Sequence, residues 1–247
     1  MNLPDNFSSI YKGSCEVTID QCDITSRLRI TDLCNMLQAV AGKHSALGGM
    51  SYFDMQKYNQ AWVLSSMRIE IEKLPIWHET IEIITWIEHL KGLRSVRDFE
   101  VKLHDQKIIG ANSLWVVLNT EKRRPEPIAL PHDHLQKYPD KKPTASPFSK
   151  IDLTKDVSPV HRRRVVYSDL DPVHHVNNVK YIEWCLDCLP LDIMENRIVR
   201  AIDVNYIKEV KFNNIIEIFR TDIAEKIYFY IKLDSQICFA MSLELNT

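Results

Sequence analysis

The sequence predicts an α+β chain written as two successive copies of one unit, each a central helix followed by antiparallel strands that wrap it. Three observations carry this expectation. A β-rich stretch, a polar turn and a helical pattern occur twice in the same order. Each helical pattern is followed by four segments with period-2 alternation and many β-branched or aromatic residues. Between the copies, Pro125 to Pro159 holds seven of the chain's eleven prolines and reads as a tether or crossover.

Taken in order, Cys15 to Ile19 forms the first β-rich stretch, Asp23-Ile24-Thr25-Ser26-Arg27 the turn, and Leu33, Met36, Leu37 and Val40 the apolar stripe of the first helix. Strands are expected at 61–71, 80–89, 95–103 and 107–118. In the second copy Val165-Val166-Tyr167 leads into Asp171-Pro172-Val173-His174-His175. A helix comes next through Val179, Ile182, Leu186 and Leu189, then strands at 199–212, 215–223, 226–233 and 237–245. Asp23 and Asp171 lie 148 positions apart, as do Arg27 and His175. The expected organisation is a first unit at 1–135, a linker at 136–160 and a second unit at 161–247. All six glycines fall at or before Gly110, so the second unit must turn on residues such as Asn213-Asn214 and Asp234-Ser235.

With 247 residues, 45% hydrophobic and 26% charged, the chain is long and apolar enough to bury a sizeable core. A formal charge of −2 provides no global field for nucleic acid. Local basic runs at Lys122-Arg123-Arg124, Lys141-Lys142 and Arg162-Arg163-Arg164 could dock an acidic partner or be solvated surface. Six cysteines without two paired C-x-x-C units read as reduced thiols, and the single such spacing, Cys185 to Cys188, reads as two thiols on one helix face rather than as zinc or disulfide chemistry. No apolar run approaches the length of a membrane span, and the start of the chain lacks the basic and apolar regions of a leader. The expectation is a cytoplasmic protein.

The chemistry-bearing segment is Ser168 to Trp184, where a strand ends in a turn rich in Asp, His and Asn and a helix begins at once. Unpaired N–H groups at a helix start can hold a carbonyl oxygen as it becomes negative. Asp171 and His175 supply a carboxylate and an imidazole able to bind or activate water. The plain alternative is that Asp171 and Asn177 cap the turn and helix, that Pro172 stiffens a loop, and that His174 and His175 are incidental.

The segment Asp169 to Trp184 reads DLDPVHHVNNVKYIEW. It resembles the D-L-D-x-N-x-H-V-N-N-V-x-Y-I-x-W stretch of the acyl-acyl carrier protein thioesterases of plants and bacteria, and departs from its specified positions only at Val173. Trp62-Val63-Leu64, Thr85-Trp86, Arg97-Asp98-Phe99 and Ser113-Leu114-Trp115 resemble further family segments in the same order. The resemblance implies a tandem (double) hotdog fold and hydrolysis of a fatty acyl thioester on acyl carrier protein, without metal or organic cofactor. It also places Glu209, in Asn205-Tyr206-Ile207-Lys208-Glu209-Val210, at the family's catalytic glutamate. Strand alternation by itself would turn Glu209 to solvent, with Asn205 and Lys211.

The catalytic set the resemblance implies is Asp171, His175 and Glu209, supported by His174, Asn177 and Asn178. Valine at 173 can neither donate nor accept a side-chain hydrogen bond, so His174 fills that place, the site works without it, or hydrolysis is impaired. The first copy carries Arg27 in place of His175, so one site per chain is expected, with the first helix lining the acyl tunnel or simply forming core. Acyl-coenzyme A hydrolysis, a hotdog dehydratase and a non-catalytic acyl-binding protein stand as rivals, and a homodimer is compatible with the sequence.

Overall fold

The structure, a computed structural model, describes residues 4, 7–151 and 158–246. Two compact units emerge, one from residues 1–65 and 72–147, the other from 66–71 and 148–247.

In the first unit, strand β1 (Ile10–Glu16) is followed by α1 (Ile30–Leu47), α2 (Tyr52–Gln56) and strands β2 (Gln60–Ile71, of which residues 66–71 belong to the other unit), β3 (Thr80–Lys91), β4 (Arg94–Leu103), β5 (Gln106–Asn119) and β6 (Arg124–Pro125). Its sheet runs β1-β3-β4-β5-β2, with β6 on β5, and the β1–β3, β3–β4, β4–β5 and β5–β6 pairings are antiparallel. The 18-residue α1 buries Leu33, Cys34, Met36, Leu37, Val40, Ala41 and His44, the wide stripe its spacing predicts. Ser51 starts α2 with a reciprocal cap, its hydroxyl accepting from the Asp54 amide while the Asp54 carboxylate accepts from Ser51.

Part of the proline-rich stretch lies against this unit. Tyr138 N–H donates to the Ile87 carbonyl, Lys142 pairs with Glu88 at 2.5 Å, and Lys141 sits 3.8 Å over the Trp86 ring. The Lys141-Lys142 run is therefore engaged with the sheet beneath it.

In the second unit, β7 (His161–Arg164) precedes α3 (Asn178–Leu186) and α4 (Leu191–Asn196), followed by β8 (Val199–Tyr206), β9 (Ile215–Ile223), β10 (Lys226–Leu233) and β11 (Gln236–Leu245). The order is β8-β11-β10-β9-β7, and residues 66–70 of β2 pair with β8. Without glycine, the β10–β11 turn places Asp234 and Ser235 at φ +48° and +67°, and Asn213 takes φ +66°. Asn and Asp tolerate this region because their short side chains bond locally.

Three expectations are corrected. The first strand of each unit lies earlier than its β-rich stretch suggested: residues 19–21 and 167–169 are single 3₁₀ turns. Strand 199–212 stops at Tyr206, because Ile207 and Lys208 both donate to the Cys238 carbonyl and so form a bulge. Asn205, expected at solvent, is buried and bonded to the Ser149 carbonyl and the Ile151 amide.

Candidate functional site

The site is built on the turn between β7 and α3. Asp169 is buried, accepts from the Val166 amide at 2.8 Å and takes both of its Arg163 contacts at 3.0 Å. The Arg163 guanidinium lies 4.4 Å from the Trp184 ring. Of the basic run 162–164, the middle residue thus serves the fold.

Asp171 Oδ1 accepts from the amides of Val173 and His175, each at 3.0 Å, and the Asp171 amide donates to the His175 carbonyl at 2.8 Å. His174 sits at the corner with φ +63° and is exposed. The first unit repeats this turn: Asp23 Oδ1 accepts from Thr25 and Arg27, the Asp23 amide donates to the Arg27 carbonyl, and Ser26 also takes φ +63°. One difference is chemical. The Thr25 hydroxyl donates to Asp23 Oδ1 at 2.7 Å, whereas Val173, 40% exposed, has nothing to offer Asp171.

The capping role considered for Asn177 is present, its Oδ1 accepting from the Val179 amide at 2.9 Å. The Lys180 amide donates to the Asn177 carbonyl. Of the helix-start amides only that of Asn178 has no hydrogen bond among the described residues, so the oxyanion donor expected of the helix start narrows to one N–H.

His175 Nδ1 and Glu209 Oε1 stand 3.6 Å apart, each side chain about a third exposed, at 31% and 30%. Alternation had turned Glu209 away. The bulge at Ile207 and Lys208 resets it, since an extra residue in one strand re-aims the side chains beyond it. Glu209 then lies past the strand end, in the segment leading to the turn at Asn213. Two residues that sequence patterning passes over also meet here. Tyr181 hydroxyl accepts from the Val210 amide at 3.1 Å, and Tyr206 hydroxyl donates to the Asn178 carbonyl at 2.9 Å. Burial above all holds the Tyr181 phenol well above its usual range, with Cys238, Glu209 and Asp171 adding to the effect. The signal that could have found Tyr181 was its place in the NNVKYIEW run.

A long helix held by an antiparallel sheet in one unit and its counterpart in the next, with a polar turn feeding each helix, defines a double hotdog protein. Comparison with known proteins identifies its kind. Residues 8–138 match the acyl-ACP thioesterase N-terminal domain and residues 153–239 its C-terminal domain, and the chain belongs to the acyl-ACP thioesterase family. Oleoyl-acyl carrier protein thioesterase 2 of Arabidopsis thaliana is 30% identical over 244 residues, covering 87% of this chain and 63% of the relative. The oleoyl-acyl carrier protein thioesterase of Coriandrum sativum is 28% identical, covering 84% and 61%. The chain thus spans about three fifths of the length of these curated relatives. An acyl-ACP thioesterase structure from Bacteroides thetaiotaomicron superposes with a TM-score of 0.90 at 26% identity, covering 96% of this chain and 98% of that one.

Proposed function

We propose that this protein hydrolyses the thioester of a fatty acyl chain carried on acyl carrier protein, with the His175–Glu209 pair activating water. The observation that carries the reading is the 3.6 Å approach of that pair beside the start of α3, in a chain of the acyl-ACP thioesterase family. Apo hydrogen bonds of catalytic pairs are often long and tighten in the complex.

In the proposed reaction the pair removes a proton from water, and the hydroxide attacks the thioester carbon. The oxygen that becomes negative faces the Asn178 amide, at the positive end of the α3 dipole. The carbon–sulfur bond breaks, His175 returns the proton to the thiolate, and a free fatty acid and a carrier thiol leave. Asp171 orients the turn. Its Oδ1 is committed to two amides, as Asp23 Oδ1 is in a repeat without the histidine, which favours orientation over nucleophilic attack through an anhydride. His174, Asn177 and Asn178 support by shaping the turn and helix start.

A cytoplasmic location is proposed as well. The six unpaired cysteines suit a reducing compartment, and among the described residues no helix is long and apolar enough to cross a membrane. Acyl-coenzyme A is the second substrate class the same site would accept, and the oligomeric state is open to a homodimer.

The test is release of fatty acid from acyl carrier protein and coenzyme A thioesters of graded chain length, with single variants. His175→Ala and Glu209→Gln are expected to lose about 100-fold or more in kcat, the scale of general acid–base contributions. Asp171→Asn keeps an Oδ1 acceptor, so the orienting role predicts a loss within about tenfold, whereas a nucleophile would leave almost no turnover. Near-parental rates in both His175→Ala and Glu209→Gln would overturn the assignment.

A further inference from the structure

The two repeats share backbone hydrogen bonds yet differ in a small set of side chains. His78 and Asn213 donate to the carbonyls of Val17 and Val165; Leu28 and Val176 donate to Pro75 and Val210; Glu72 and Lys73 share the Ile108 carbonyl as Ile207 and Lys208 share that of Cys238. These pairs align Leu74 with Glu209 and Pro75 with Val210. Aligned on their starts at Ile30 and Asn178, the helices place Leu33 opposite Tyr181. The strand ends place Ile71 opposite Tyr206.

Two of the second repeat's hydrogen bonds have no counterpart. Val210 N–H to the Tyr181 hydroxyl and Tyr206 hydroxyl to the Asn178 carbonyl tie the first turns of α3 to the segment that carries Glu209. The two rings meet edge to face with centroids 5.8 Å apart. In the first repeat neither bond can form: Pro75 has no N–H, and Leu33 and Ile71 have no hydroxyl. That repeat has the buried apolar Leu33 and Ile71 at these places and a Leu28–Pro75 bond of 2.8 Å, against 3.4 Å for Val176–Val210. The unit therefore folds without the tyrosine bonds. They occur where His175 and Glu209 stand, and are missing where Arg27 and Leu74 stand.

We propose that Tyr181 and Tyr206 are positioning residues that clamp the Glu209 segment onto the start of α3 and set the His175–Glu209 separation; the catalytic consequence rests on the hydrolytic reading above. Proximity is worth much in such a site, and a shift of about 1 Å can cost on the order of 100-fold.

The test has a kinetic arm and a spectroscopic arm. In the kinetic arm, Tyr181→Phe, Tyr206→Phe and the pair are assayed on acyl carrier protein thioesters. The double variant is expected to lose about 10-fold to 100-fold in kcat with KM within about twofold, the sign of an interaction lost in the transition state. Tyr181→Leu with Val210→Pro transplants the first repeat's solution; it is expected to fold and to show the same loss. Parental kcat in both would overturn the proposal, as would a loss that tracks a fall in melting temperature.

The spectroscopic arm needs no turnover. Glu209→Gln is expected to move the His175 ring-proton NMR resonances in the parent and to leave them in place in the Tyr181→Phe/Tyr206→Phe background. Equal movement in both backgrounds would overturn the clamp even if the protein hydrolyses nothing. An inactive parent with the expected NMR pattern would overturn the hydrolytic reading and uphold the clamp.

Discussion

At the scale of single residues, the repeat supplies its own controls. Thr25 shows what a hydroxyl does at the position of Val173, donating to the turn aspartate at 2.7 Å. Val173→Thr should restore that bond to Asp171 and stabilise the chain by about 0.5–1 kcal/mol, the net worth of one hydrogen bond, read as a higher urea midpoint. An unchanged or lower midpoint would mean that Val173 packs in a way Thr25 does not. His44 offers a second residue-scale test. Its Nδ1 accepts from Arg97 at 2.9 Å and its Nε2 donates to the Ser8 carbonyl at 3.0 Å, so the ring must be neutral. Burial first, and the Arg97 charge second, depress it to about 4 from 6.5. Between those values the unfolded chain binds a proton that the folded chain refuses, so this contribution is fully present above 6.5 and is lost as pH falls through 4. The loss approaches about 3 kcal/mol. Measured as urea midpoints from pH 7 to 4, the gap between the parent and His44→Gln should narrow as pH falls. A constant gap would show that His44 does not resist protonation.

At the scale of elements, what alternation reveals depends on whether a residue sits in an unbroken stretch of ladder. Strands β9 and β10 begin and end where the pattern and turn residues place them, and the ladder between them runs from Glu217 to Ile223 without a register shift. The segment after β8 departs from simple alternation for a physical reason: the bulge at Ile207 and Lys208 arises from where Cys238 falls on the neighbouring strand, and one strand's sequence does not display its partner's register. The same limit hid Tyr181, whose hydroxyl is explained only by the Val210 amide brought to it. By contrast, the Asp171 turn and the Asn177 cap can be read from the sequence because turn and helix start are local. Gly110 in β5 is a further long-range constraint. A Cβ there would collide with the Pro143 carbonyl, which also accepts from Lys107 Nζ. Gly110→Ala should therefore lift the 138–147 segment or strain β5, at about 1–3 kcal/mol. The midpoint should fall, with faster amide exchange at Tyr138. Parental exchange and stability would show that the segment yields at no cost.

For the whole molecule, duplication explains why a chain of two similar units is expected to hold one site. Both turns are organised by an aspartate, both helices start at the same place relative to it, and both succeeding segments carry the same bulge. Scaffold geometry is therefore common to the repeats, and the difference in chemistry lies in the substitutions upon it. Arg27 replaces the imidazole, Leu74 replaces the carboxylate, and Leu33 with Pro75 leaves no counterpart to the Val210–Tyr181 hydrogen bond. A leucine cannot accept a proton from water, and a guanidinium stays charged at any working pH. On the proposed hydrolytic reading, the first repeat keeps the fold and lacks the groups that would activate water. Binding should divide the same way, since a thioester needs a polar cradle at its carbonyl as well as an apolar sleeve. Acyl carrier protein bearing an amide-linked acyl chain, which cannot be cleaved, is expected to bind the chain with a stoichiometry of one by calorimetry. Glu209→Gln should leave that number unchanged, and His175→Ala should weaken affinity far less than it slows turnover, as the proposed water-activating roles require of groups that act chiefly in the transition state. A stoichiometry of two would mean that the turn at Asp23 still accepts substrate, and that the second repeat's side chains confer catalysis alone.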